Sequence, residues 1–161
     1  MNTKWIRLLF FCLLLFDINV YADPRIAILD FELDDQTLLP KTKSELKQAE
    51  SFKPMLEQYL KVLGGYEIIT INEQEKNAGL AYLFQHNGSS AELGKQSGAD
   101  WIVVGRHRKL SFMYSRLVVH VINVKTGKLN GNFMIVLKGS NKKVTKKAIG
   151  SMAKKINKLI K

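Results

Sequence analysis

Three β-rich runs, residues 101–110, 116–124 and 131–137, follow one another with only short links, one of them Lys125-Thr126-Gly127-Lys128. Links this short favour neighbouring strands that reverse direction, so the runs are expected to pair as an antiparallel meander. Behind them, Val144, Ala148, Ile149, Met152, Ile156, Leu159 and Ile160 fall on one helical stripe, with lysines filling the remaining positions. A sheet needs a covering helix, so this stripe is expected to pack on the sheet and leave its lysines exposed.

The upstream half reads differently. Residues 25–31, Arg-Ile-Ala-Ile-Leu-Asp-Phe, are apolar and β-branched directly after Pro24, as suits a buried strand. A polar stretch over 34–42, holding Pro40, breaks that pattern. Phe52, Met55, Leu56, Tyr59, Leu60 and Leu63 then recur at helical spacing. This helix starts near Ser44 or is capped at Ser51; the later start is preferred because it puts Pro54 in the first turn, where the missing N–H costs nothing. Gly64-Gly65 ends it, and residues 66–71 form a second strand. Leu80, Leu83 and Phe84 mark a short helix before an Asn87-Gly88 turn, and Ser90 caps another running to about Ser97. The expected fold class is α/β (α+β), a five-stranded mixed sheet in the order β-α-β-α-β-β-β-α with helices packed on it. There is no internal repeat or linker.

Residues 1–22 read as a cleavable signal peptide: Lys4 and Arg7 form a basic head, an apolar run follows, and cleavage is expected after Ala22. The run is about half the roughly 20 residues a bilayer span requires. The remaining 139 of 161 residues, 23–161, are expected to form one domain in the periplasm. Cys12 leaves with the leader, which excludes disulfides, thiolate metal sites and a cysteine nucleophile from the mature domain. Removing Lys4, Arg7 and Asp17 from the 25 basic and 14 acidic residues leaves 23 and 13, a net charge of +10.

Two groups of residues carry candidate chemistry. Asp30, Glu32 and Asp34 alternate at the end of the first strand, so in a continuing strand they would share one face and, with Asp35, gather a cation or a basic partner. Without the glycines of a calcium loop, the favoured reading is a strand entering a solvated loop. Arg106, His107, Arg108, Lys109 and Arg116, with Phe112, Met113 and Tyr114 at the tip, form a basic-aromatic hairpin suited to partner contact. His107 and His120 could sit opposite or diagonal on that hairpin, but two imidazoles do not complete a zinc site. His86 is expected in a loop. No phosphate loop, serine elbow or His-Glu-x-x-His helix occurs. No catalytic, cofactor-binding or metal residues are assigned, and neither an enzyme nor a nucleic-acid binder is expected.

The run 26–31 together with 93–105, Leu-Gly-Lys-Gln-Ser-Gly-Ala-Asp-Trp-Ile-Val-Val-Gly, resembles the TolB N-terminal and CsgG-like periplasmic domains. In those domains an Asp-Phe strand, a helix, a Tyr-Glu-Ile-Ile strand and a Gly-Ala-Asp-strand-Gly unit follow in this order. The chain is more similar still to a family of small uncharacterised periplasmic proteins, some encoded near quinoprotein alcohol-oxidation systems. The resemblance implies a non-catalytic module that binds another envelope or periplasmic protein. The alternative is a basic binder of anionic lipid or peptidoglycan acting through the lysine-rich C-terminal helix.

Overall fold

A computed structural model describes residues 22–37, 39–71, 78–111 and 113–161. The expected leader, apart from Ala22, and Phe112 of the hairpin lie outside the described residues. Along the chain come β1 (Arg25–Asp35), α1 (Lys43–Leu63), β2 (Glu67–Ile69), α2 (Leu80–Gln85), α3 (Asn87–Gln96), β3 (Trp101–Lys109), β4 (Tyr114–Asn123), β5 (Leu129–Lys138) and α4 (Lys142–Ile160). The strands form one sheet in the order β2-β1-β3-β4-β5. β1 runs parallel to β2 and β3, while β3, β4 and β5 are antiparallel, so the sheet is mixed, as the sequence pattern requires.

Both faces of β1 and β3 are buried, which explains why these strands read as continuous apolar runs rather than alternating ones. On one face Ile26, Ile28, Phe31 and Val103 pack with Leu117, Val119 and Val121 against Phe52, Leu56 and Leu60 of α1 and Ile149, Met152 and Ile156 of α4. On the other, Ala27, Leu29, Ile102 and Val104 pack against Leu83 and Phe84 of α2 and Ala91 and Leu93 of α3. The stripe of α4 is thus committed to the core, and its lysines are exposed. A buried hydrogen bond from Gln48 Nε2 to Thr145 Oγ1, 2.9 Å, ties α1 to α4. Gly105 is required by packing: a Cβ there would run into the Phe31 ring.

Several local expectations are corrected. α1 begins at the earlier position. Thr42 caps it through a reciprocal box with Glu45, its hydroxyl accepting from the Glu45 N–H and the Glu45 carboxylate accepting from the Thr42 N–H. Pro54 is therefore inside the helix. It lies on the exposed side, where the Glu50 carbonyl it leaves without a donor can meet water. No turn separates the two short helices at Asn87-Gly88, because α3 already begins at Asn87. Ser90 sits inside α3, fully buried, and donates to the Leu83 carbonyl at 2.7 Å instead of capping. β1 does not end at Phe31 but continues to Asp35, and that extension organises the site.

Candidate functional site

The parallel register of β1 and β3 sets Glu32 beside Arg106, Leu33 beside His107, Asp34 beside Arg108 and Asp35 beside Lys109. The two candidate clusters therefore meet as a ladder of charge pairs within one molecule. Arg106 Nε donates to the Glu32 carboxylate. Arg108 Nε lies 2.7 Å from Asp34 Oδ2, and Lys109 Nζ lies 2.7 Å from Glu45 Oε1 of α1 and 3.5 Å from Asp35 Oδ2. The expected solvated loop is replaced by this paired strand. The expected single face is also absent: a register shift between Ile28 and Phe31 brings Asp30 to Lys53 of α1, at 3.6 Å, while Glu32 and Asp34 meet β3.

These contacts set the protonation states. Burial raises the Asp34 carboxyl, but hydrogen bonds from Arg108 and Gln36 outweigh it, and the net shift is downward. Glu45 behaves alike, burial being overcome by Lys109 and Thr42. Asp35 is lowered by hydrogen bonds from Thr37, and Lys109 is raised by its bond to Glu45. All four groups are held charged.

The histidines are not neighbours. His107 pairs with Leu117 and His120 with Val104, an odd offset that puts the rings on opposite faces of the sheet. His107 is 2 % exposed beneath the edge of Phe52, ring centroids 5.1 Å apart, and neither ring nitrogen has a hydrogen-bond partner among the described residues. Burial lowers its pKa to about 4, against the opposing pull of Glu45 and Asp35. It borders a cavity of about 20 Å³ shared with Glu45, Gln48 and Lys109, room for one water. On the other face the Arg106 guanidinium covers Phe84 at 4.2 Å, and Phe84 stacks on His120 at 4.0 Å. Burial lowers the His120 pKa too. His86 links α2 to α3, its Nδ1 within 2.9 Å of the Tyr82 carbonyl. Among the described residues no group of three or more His, Cys, Asp or Glu side chains could hold a metal ion.

Of the candidate hairpin residues, Arg106, His107 and Lys109 are buried and Arg108 is half-buried, whereas Tyr114 and Arg116 are exposed. Cross-strand pairing places Arg116 beside Val136, Val118 beside Met134 and Tyr114 beside Lys138 on one face. Met134 and Val136 are 53 % and 51 % exposed, because α2 and α3 cover the sheet mainly over β1 and β3. The sequence reading missed these two. Their signal was present: Phe-Met-Ile-Val-Leu over 133–137 is apolar at every position, although among the described residues no helix covers one face of that strand.

This arrangement of sheet and helices recurs in solved structures. The chain is similar to TolB from Acinetobacter baumannii, with 15% identity, a TM-score of 0.57 and coverage of 86% of this chain and 28% of that one. It is also similar to lipoprotein GNA1162 from Neisseria meningitidis, at 12% identity and a TM-score of 0.52, covering 83% of this chain and 96% of that one. The PelC dodecamer from Paraburkholderia phytofirmans matches at 10% identity and a TM-score of 0.50, covering 84% of each chain. At these identities the likeness is one of fold, and in that sense alone the resemblance to TolB is met. No curated protein sequence matches. A family profile matches residues 24–156, and the chain belongs to that family, DUF3280, described as "Protein of unknown function (DUF2380)".

Proposed function

We propose that the chain is an accessory protein of the cell envelope, exported by a leader cut after Ala22, whose domain 23–161 works in the periplasm as a non-catalytic protein-binding module. One observation carries this reading. Glu32, Asp34 and Asp35 of β1 are spent on Arg106, Arg108 and Lys109 of β3, whereas the β4–β5 surface keeps Tyr114, Arg116, Met134 and Val136 exposed. An apolar centre beside unpaired cations has the composition of a contact surface. The shared fold supports it further: GNA1162 is described as a lipoprotein and PelC as a dodecamer, so proteins of this shape serve in lipid-anchored and assembled settings. Photo-crosslinkers at Tyr114 and Arg116, in the native host, are expected to trap one defined periplasmic protein, with a control at Lys53 trapping none. Met1 retained in the purified protein, or equal trapping at all three positions, would sink the reading.

The eight lysines over 142–161, all exposed, favour the rival reading of an anionic lipid or peptidoglycan surface. The apolar stripe that would enter a membrane interface is buried against the sheet, so only charge attraction is left to it. Such binding should vanish at high salt, which vesicle sedimentation measures directly.

A further inference from the structure

Resting on the protein-binding reading, we propose that β5 is an open edge that accepts an acidic extended segment of a partner protein as an added strand. β5 ends the sheet, and among the described residues no strand pairs with its outer side. Edge strands are normally guarded by an inward charge, a proline or a bulge that turns the edge away. Residues 129–137, Leu-Asn-Gly-Asn-Phe-Met-Ile-Val-Leu, contain no charge and no proline. The one register shift of the β4–β5 pair leaves Asn130 of β5 unpaired opposite Val121 and Ile122, at the far end of β5 from Met134 and Val136, so the stretch that carries those two side chains has no bulge. A strand laid along this edge would set alternate side chains against Met134 and Val136 on the open face and against half-buried Phe133 and Ile135 on the other.

Charge selects the occupant. From Trp101 to Lys161 the chain carries 15 lysines and arginines and no aspartate or glutamate. Acids of β1 and α1 neutralise Arg106, Arg108 and Lys109. Around β5, Arg116, Lys125, Lys128 and Lys138 have no carboxylate within ion-pair distance among the described residues. A second copy pairing β5 to β5 antiparallel would bring Lys128 towards Lys138, like against like. A lipid surface offers phosphates but no backbone to complete the ladder. A carboxylate-rich strand satisfies the cations, the open backbone and the apolar pair together.

The test uses the mature chain, amide hydrogen exchange read by NMR, and a peptide the length of β5 that alternates glutamate with valine. This peptide should slow exchange along β5, while its lysine-for-glutamate counterpart should not. Arg116→Glu with Lys138→Glu should weaken binding about tenfold, and Val136→Asp should do the same from the edge itself, with circular dichroism unchanged in both. Equal binding of the two peptides, or protection confined to α4, overturns the proposal. So does protection of β5 by phosphatidylglycerol vesicles, or by self-association without peptide, each of which assigns the edge to a different occupant. A crosslinked periplasmic partner that maps away from β5 leaves the binding role standing and removes this edge as its seat.

Discussion

The two flanks of β3 treat its cations in opposite ways. Towards β1 each meets an acid at its own register: Arg106 faces Glu32, Arg108 faces Asp34 and Lys109 faces Asp35. Towards β4, Arg108 faces another arginine, Arg116. On the first flank the charges hold two parallel strands and α1 in place. On the second a like charge stands directly opposite, an arrangement that costs stability. A basic residue in this sheet is structural where its parallel neighbour carries the complement, and it is left for an outside partner where the complement is missing.

The deepest pair offers the hardest test of that division. Lys109 is 4 % exposed and serves both Glu45 and Asp35. Lys109→Met leaves two carboxylates facing each other without a counterion, so a loss of about 3–5 kcal/mol is expected, read as a fall in the urea midpoint. A midpoint within error of the parent would mean that the ladder is decorative.

Next in size is the response to acid. His107 has a folded pKa of about 4, depressed by burial from an ordinary 6.5, with Glu45 of α1, Asp35 of β1 and Lys109 of β3 as the charges that act on it. The folded state therefore binds fewer protons than the unfolded chain between those values. Its contribution is complete above pH 6.5 and is lost as pH falls through about 4, amounting to about 3 kcal/mol. The lowered carboxyls of Asp34 and Glu45 act in the same direction at lower pH. His107→Leu should remain folded against Phe52 and flatten the stability profile between pH 6.5 and 4, measured by urea titrations across that range. An unchanged slope would remove His107 as its source.

Arg106→Ala follows. It strips Glu32 of its donor and Phe84 of the guanidinium lying 4.2 Å above its ring, and about 2 kcal/mol should be lost. Because Phe84 stacks on His120, the imidazole resonances of His120 should shift in the same variant.

The regular parts of this fold were legible because they rest on local periodicity. The meander, the helix over 142–160 and the Asp-Phe strand each show their apolar period in the residues themselves. The start of α1 differs from the sequence expectation because the Thr42–Glu45 capping box, equally visible in the sequence, outweighs the preference of Pro54 for a first turn. Glu50 and Pro54 both lie on the exposed side of α1, which makes a mid-helix proline tolerable, and exposure is a tertiary property. The acids and bases of the site were each found, but not as partners. Their pairing depends on parallel β1–β3 register across more than seventy residues, which neither strand encodes alone. The absence of acids after Asp100 stands in the sequence itself and is the trace of the open flank.

The smallest effect is the most discriminating, because the two flanks predict opposite signs for it. Arg116 is exposed, makes no ion pair among the described residues and stands across from Arg108. Arg116→Glu would replace a like pair with an opposite one, so stability should rise by a few tenths of a kcal/mol, up to about 0.5. Measured by thermal unfolding at low salt, the gain should shrink as salt is added. Binding of the acidic peptide should weaken in the same variant. A change that makes the molecule more stable and a poorer binder can only be acting on a surface the fold does not need. If Arg116→Glu instead costs about 1 kcal/mol or more, Arg116 belongs to the structural ladder and the contrast between the flanks dissolves.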